Sequence, residues 1–148
     1  METFKYVGRT VANDGCDTPT IQRNPKKARA KGGRLQKVTT QETVPPRVAG
    51  RFYQVVVAAQ LLYGSEPWCL LAAARRPLEG FHCKMTRRLA DMQTKQVKGV
   101  WVYPPTADVL RAAGLIPLEH YVGKHRHTIV TIIRDRPILK ECKGAESW

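Results

Sequence analysis

Residues 44–68, VPPRVAGRFYQVVVAAQLLYGSEPW, carry the pattern that decides the fold. Pro45-Pro46 suits the first turn of a helix, where the missing N–H has no partner to lose. Val48, Phe52, Val55, Ala59 and Leu62 then recur with spacings of 4, 3, 4 and 3, one face of an amphipathic helix, before Gly64 and Pro67 end it.

A second stripe follows in the same rhythm: Leu71, Ala74, Leu78, Phe81, Met85, either Arg88 or Leu89, and Met92. Arg75, Arg76, Lys84, Arg87 and Arg88 cover much of the remaining surface, and Pro77 marks a kink or a restart. Two stripes of matching period joined by a short Gly/Pro turn predict antiparallel helices. Their expected core is Phe52, Val55, Leu62, Leu71, Leu78, Phe81, Met85 and Leu89.

Upstream, residues 4–13 (FKYVGRTVAN) alternate as a strand does, with a turn at Asn13-Asp14-Gly15. From Pro19 to Gln41 there is no acid but there are seven cations: Arg23, Lys26, Lys27, Arg29, Lys31, Arg34 and Lys37. Pro25 and Gly32-Gly33 speak against one long helix, since an interior proline costs about 3 kcal/mol and each glycine about 1 relative to alanine. The expectation is a weak, solvated basic helix from Pro25 to Gly32, with Asn24 as its N-cap.

Downstream of Met92 the chain turns polar and then gives a short extended segment, GVWVYPP. Thr106 caps a two-turn helix that closes at Gly114. Pro117 starts a last helix with Leu118, Tyr121, Val122, His125, Ile129, Ile132 and Ile133 along one side, Pro137 stops it, and a tail follows. The class is therefore mainly α, a small helical bundle with a short N-terminal β-strand or hairpin.

Charge is the strongest compositional signal. Twenty-five Lys and Arg against twelve acids give +13 in 148 residues, an excess that draws polyanions and points to nucleic acid or, less often, an anionic membrane surface. No window reaches the ~18 uninterrupted apolar residues of a membrane span, so no membrane partner is expected. Glu2, Asp14 and Asp17, with no apolar run near the N-terminus, argue against secretory and transit signals. The compartment stays unassigned beyond an expected intracellular, non-secreted location.

Catalytic and metal chemistry is not spelled out. Polymerases and nucleases gather carboxylates around two metal ions, whereas the acids here are scattered singly, with no Asp-Asp, D-x-D or E-x-x-E pair. Cys16, Cys69, Cys83 and Cys142 form no C-x-x-C pair. His125 and His127, two apart on a helix, point to opposite sides, and His82-Cys83 adjacency makes no nucleophile–base pair by itself. The expectation is no catalytic residue, no metal, no cofactor and no polymerase activity.

The order of segments resembles the end of a non-LTR retrotransposon reverse transcriptase. FKYVG is similar to the K-Y-L-G strand that closes the palm of those enzymes. Leu61, Leu62, Tyr63, Gly64, Ser65, Glu66 and Trp68 fit the thumb signature Leu-Leu-Tyr-Gly-Ser-Glu-x-Trp. Arg75, Leu78, Glu79, Phe81, His82, Arg87 and Arg88 fit R-R-L-E-x-F-H-x-x-x-x-R-R, and DVLRAAGLIPLEHYVGKHRH resembles the L-x-x-A-G-L-x-x-L helix pair that follows. The resemblance covers the chain from about Phe4 to Glu146. It implies a palm-end strand at 1–16, a thumb-like helical bundle at 17–98 and a helix pair with tail at 99–148.

The fingers, most of the palm and its Tyr/Phe-x-Asp-Asp turn are not in this chain, nor is the zinc knuckle of some relatives. In the family the thumb runs along the template–primer backbone. The resemblance thus gives Arg23, Lys26, Lys27, Arg29, Lys31, Arg34 and Lys37, with Arg87 and Arg88, a role as backbone ligands for RNA or DNA. Phosphate contacts set affinity without reading sequence. Three readings remain: a non-catalytic remnant that binds nucleic acid nonspecifically, a co-opted structural subunit of a ribonucleoprotein or other assembly, and an open reading frame without selected function. Trp101, Tyr103 and Trp148 exposed as one patch would favour the second.

Overall fold

The longest element is built through the residues expected to break it. In the computed structural model, which describes residues 2–6, 9–12, 17–66, 68 and 72–135, α1 (Thr18–Gln41) is one helix spanning Pro25 and Gly32-Gly33. Propensity is overridden by packing. Thr20, Asn24, Ala28 and Gly32, four residues apart, form a buried stripe of small side chains. A Cβ placed on Gly32 would stand 2.6 Å from Met85 Cε, so the glycine that weakens the helix locally admits its neighbour. Asn24 is not an N-cap. It is buried in mid-helix, and its side-chain amide donates to the carbonyls of Leu61 at 3.1 Å and Tyr63 at 3.0 Å.

Of the two expected forms, strand or hairpin, the N-terminal residues take the hairpin. β1 (Thr3–Tyr6) pairs antiparallel with β2 (Arg9–Ala12), Phe4 opposite Val11. The turn expected at 13–15 lies outside the described residues. Thr20 fastens the hairpin to α1: its hydroxyl donates to the Thr10 carbonyl at 2.6 Å and accepts from the Thr10 N–H at 3.1 Å.

The chain then runs without a break through α2 (Pro46–Phe52), a π-helical segment (Tyr53–Ala58) and α3 (Ala59–Leu61). Here the expected core was placed on the wrong face. Phe52 is 53% exposed, Val55 73% and Val48 41%, and of that stripe only Leu62 is buried. The buried set is Ala49, Tyr53, Val57 and Leu61, with Ala58 and Leu62. A repeat of four drifts by about 40° per step on a 3.6-residue helix, and the wider turn of the π segment reduces that drift. The Ala59 N–H accordingly bonds to the Gln54 carbonyl, five residues back.

α4 (Ala72–Leu89) is a single helix through Pro77 and buries Leu78, Phe81, Met85 and Leu89 as expected. Leu71 lies outside the described residues. β3 (Lys95–Val97) and β4 (Val100–Val102) make a second hairpin, with the extended stretch as its outer strand. Its two-residue turn has positive φ at both Lys98 and Gly99, the geometry whose twist suits a hairpin.

α5 (Thr106–Ala113) follows, with Thr106 as its first helical residue rather than its cap. It ends at left-handed Gly114, where Gly114 N–H bonds to Arg111 and Leu115 N–H to Leu110, satisfying the last carbonyls. α6 (Leu118–Asp135) buries Leu118, Tyr121 and Val122 at its start, while Ile129, Ile132 and Ile133 stay exposed.

All seven described helical segments, except the solvent half of α6, feed one hydrophobic cluster, from Ile21 and Ala28 through Tyr53, Leu61 and Trp68 to Phe81, Leu110 and Tyr121. The described chain is a mainly helical bundle with two small hairpins. Among its described residues no helix is long and apolar enough to cross a membrane.

Two glycines should respond oppositely to alanine. Gly50 packs so closely on α5 that a Cβ would overlap the Ala113 carbonyl oxygen, and Gly50→Ala should lower stability by about 1–3 kcal/mol. Gly33 has nothing within 4 Å of its Cβ position, and Gly33→Ala should raise stability by about 0.5–1 kcal/mol. Urea midpoints of the two variants against the parent check both signs.

Candidate nucleic-acid interface

With the Thr20–Gly32 stripe turned inward, the cations of α1 are sorted by the 100° step of the helix. Lys26, Arg34 and Lys37 fall on the outward side, with Arg29 on one flank and Lys27 and Lys31 on the other, and all six are exposed. From Lys26 to Lys37 they span about 17 Å of helix axis. No acid interrupts α1. The ion pairs among the described residues lie elsewhere, Arg75 with Glu79 and Glu119, Arg111 with Asp108, and Arg134 with Asp135. The helix therefore presents a one-sided positive surface on rigid backbone, which suits a row of phosphates.

Arg23 stands apart from this row. It is half-buried, and its Nη1 donates to Thr10 Oγ1 at 3.0 Å, so it fastens the N-terminal hairpin. Arg87 and Arg88 occupy the last turn of α4, two and three residues beyond the Met85 that meets Gly32. Arg88 is exposed. Arg87 is half-buried, and its Nε is enclosed without a hydrogen-bond partner.

Behind the surface lies a buried polar cluster that links four parts of the chain. His82 Nε2 faces the Ile116 carbonyl at 3.1 Å, which can only accept, so Nε2 carries the proton. Nδ1 then accepts from the Tyr53 hydroxyl at 2.8 Å. The Tyr121 ring stands edge-on to the imidazole at 6.1 Å, and Thr86 Oγ1 returns a bond to the His82 carbonyl at 2.7 Å. Burial lowers the His82 pKa, partly opposed by the Ile116 carbonyl. Burial likewise raises Tyr53, with Tyr121 and Cys83 adding to it. Both imidazole nitrogens are committed, so the group holds helices in register and has no free base to offer. Cys83 is half-buried beside it.

Ser65, Glu66 and Trp68 of the thumb-like signature dock under α6. Trp68 and Ser65 are fully buried. Ser65 Oγ meets His125 Nδ1 at 3.4 Å, Arg126 Nε donates to the Glu66 carbonyl at 3.2 Å, and Arg126 Nη2 donates to the Trp68 carbonyl. His125 is thus turned inward and His127 outward. No three His, Cys, Asp or Glu converge as a metal site among the described residues. Sequence reasoning missed Arg126 and the role of His82, because neither has a spacing that announces it.

The pH dependence of stability follows from His82. Its folded-state pKa lies below the ordinary value of 6.5, so folding favours the neutral ring. The associated stability is present above that ordinary value and is lost as pH falls below it, by at most about 1.4 kcal/mol per pH unit for one proton. Thermal melts between pH 7.5 and 5 should show a Tm that drops with acid. His82→Gln, though less stable overall, should show a smaller drop over the same interval.

Compared with protein-family models, curated proteins and solved structures, the chain matches none.

Proposed function

We propose that this chain is a non-catalytic module, resembling the thumb end of a retrotransposon reverse transcriptase, that binds nucleic acid by its phosphates. The observation that carries the reading is α1, which has six exposed cations on its outward side and flanks, no acid, and an opposite side anchored in the core. That anchoring bears on affinity. A basic segment that orders only on binding loses part of its interaction energy to that ordering, whereas α1 is already helical and packed. Arg23 gives one guanidinium N–H to Thr10 and lies apart from the exposed row.

Five neutralised phosphates give a slope of about −4.5 in log K against log salt on duplex DNA and about −3.5 on single strands. The triple charge reversal Lys27→Glu, Lys31→Glu, Arg34→Glu should reduce that slope by two to three units. Its discrimination among unrelated sequences should hardly change, because backbone contacts read no bases. Fluorescence anisotropy across a salt series measures both, and an unchanged slope in the triple variant would remove α1 as the binding surface.

A second reading, a structural subunit of a ribonucleoprotein or other assembly, is favoured by apolar surface without an internal partner. Val48, Phe52, Val55 and Val56 line the outer side of α2 and the π segment, and Ile129, Ile132 and Ile133 line the end of α6. Trp101 and Tyr103 are exposed as well, while Trp148 lies outside the described residues. Purified from its own cells, an assembly subunit should co-migrate with a large particle through size exclusion. Elution at the mass of the lone chain would refute this reading.

A further inference from the structure

The β3–β4 hairpin has a composition that its place in the fold does not explain. Apart from each other, its strands make no extensive contact with another element. Yet five of its residues are large, apolar and exposed, among them Trp101 at 58% and Tyr103 at 64%. An isolated two-stranded hairpin is marginal in water, so nothing in the domain core calls for an indole here.

The register separates two faces. Lys95 opposite Val102 and Val97 opposite Val100 share one, and Gln96 opposite Trp101 occupies the other. Tyr103 lies two residues beyond Trp101, and the prolines at 104 and 105 hold it in the extended region. The two-residue period therefore sets Tyr103 on the Trp101 side, about 7 Å along the strand. Lys98 stands in the turn that leads into β4, Lys95 belongs to the Val102 face, and no acid occurs from Met92 to Ala107.

We propose that Trp101 and Tyr103 form a stacking platform for the unpaired bases of a single-stranded nucleic acid, with Lys98 in the turn beside its phosphates. The inference rests on the nucleic-acid reading for the class of ligand and adds a second surface with a different chemistry. Aromatic faces accept any unpaired base, because every base has a π-face, and cations beside them track the backbone. A duplex keeps its bases stacked on one another and offers the platform only its ends. The hairpin thus confers a preference for single strands that the α1 cations cannot provide. The opposite face, Val97, Val100 and Val102, has no π-surface and is the side that suits a protein neighbour.

The test uses the full chain with fluorescein-labelled 12-nucleotide strands, a duplex of the same length, and an abasic phosphodiester strand of equal charge. Trp101→Ala and Tyr103→Ala should each weaken single-strand binding roughly tenfold. Duplex and abasic binding, and the salt slope, should stay within twofold of the parent. Trp101→Phe should retain most of the affinity, whereas Trp101→Leu, equally apolar without a ring, should not. Circular dichroism melts of each variant should match the parent, because the hairpin lies outside the core.

Equal affinity of the parent for base-bearing and abasic strands would overturn the platform. So would full affinity in Trp101→Leu, which would assign this surface to apolar docking of a protein. The α1 reading fails separately, by an unchanged salt slope in its charge-reversal variant with the aromatic effects intact.

Discussion

Where α3 ends, the carbonyls of Leu61 and Tyr63 are taken up by the side-chain amide of Asn24, and the arrangement of α1 depends on this bond pair. A helix terminus leaves carbonyls without partners, and burying them unpaired costs about 1–3 kcal/mol each. Asn24 removes that cost for two of them from the middle of another helix. It can do so only if α1 lies against the Leu61–Tyr63 turn, and only small residues along the same stripe allow that approach. Ala28 and Gly32 supply them. The contact in turn fixes which side of α1 is outward, and therefore which cations stand together.

The same constraint shows why part of the fold was legible in the sequence and part was not. α4 was legible because Leu78, Phe81, Met85 and Leu89 sit at ordinary α-helical spacing and are large enough to register as a stripe. Gly114 was legible as a terminator because glycine is the usual residue in a left-handed cap. Thr43 and Asp91 end α1 and α4 with the same backbone sign, and neither residue type advertises it. α1 was not legible because its inward side, apart from Ile21, is made of Thr, Asn, Ala and Gly, which carry almost no hydropathy signal. α2 was misread for the opposite reason. Both of its sides are apolar, so the 3.6-residue template selected Val48, Phe52 and Val55, while the π segment turned Ala49, Tyr53 and Val57 inward. Of the candidate interface, residue types were legible but partners were not: nothing in the chain order tells that Arg23 belongs to Thr10.

His82 shows how a motif residue can serve the fold alone. It lies in the stretch that resembles a reverse-transcriptase signature, next to Cys83, where a reader looks for chemistry. The structure spends both of its nitrogens on Tyr53 and Ile116, which fastens α4 to the π segment and to the turn before α6. Trp68 and Ser65 in the Gly64–Trp68 signature are buried as well. The motif-like residues described are therefore mostly framework, and the surface they frame is where ligand chemistry has to be sought.

That surface divides by chemistry. α1 offers charge on a rigid support and little that distinguishes one strand from another. β3–β4 offers π-surface with a lysine in its turn, and the outer side of α2 and the end of α6 offer aliphatic surface that neither phosphates nor bases match. A +13 chain repels itself, and polyanion binding relieves that repulsion wherever the cations cluster. Aliphatic patches gain nothing from a polyanion and are satisfied only by apolar neighbours. A chain carrying both kinds of surface at separate places is suited to a setting in which nucleic acid and protein are met together. This is the physical reason that nucleic-acid binding and membership of a ribonucleoprotein are compatible readings of the same molecule.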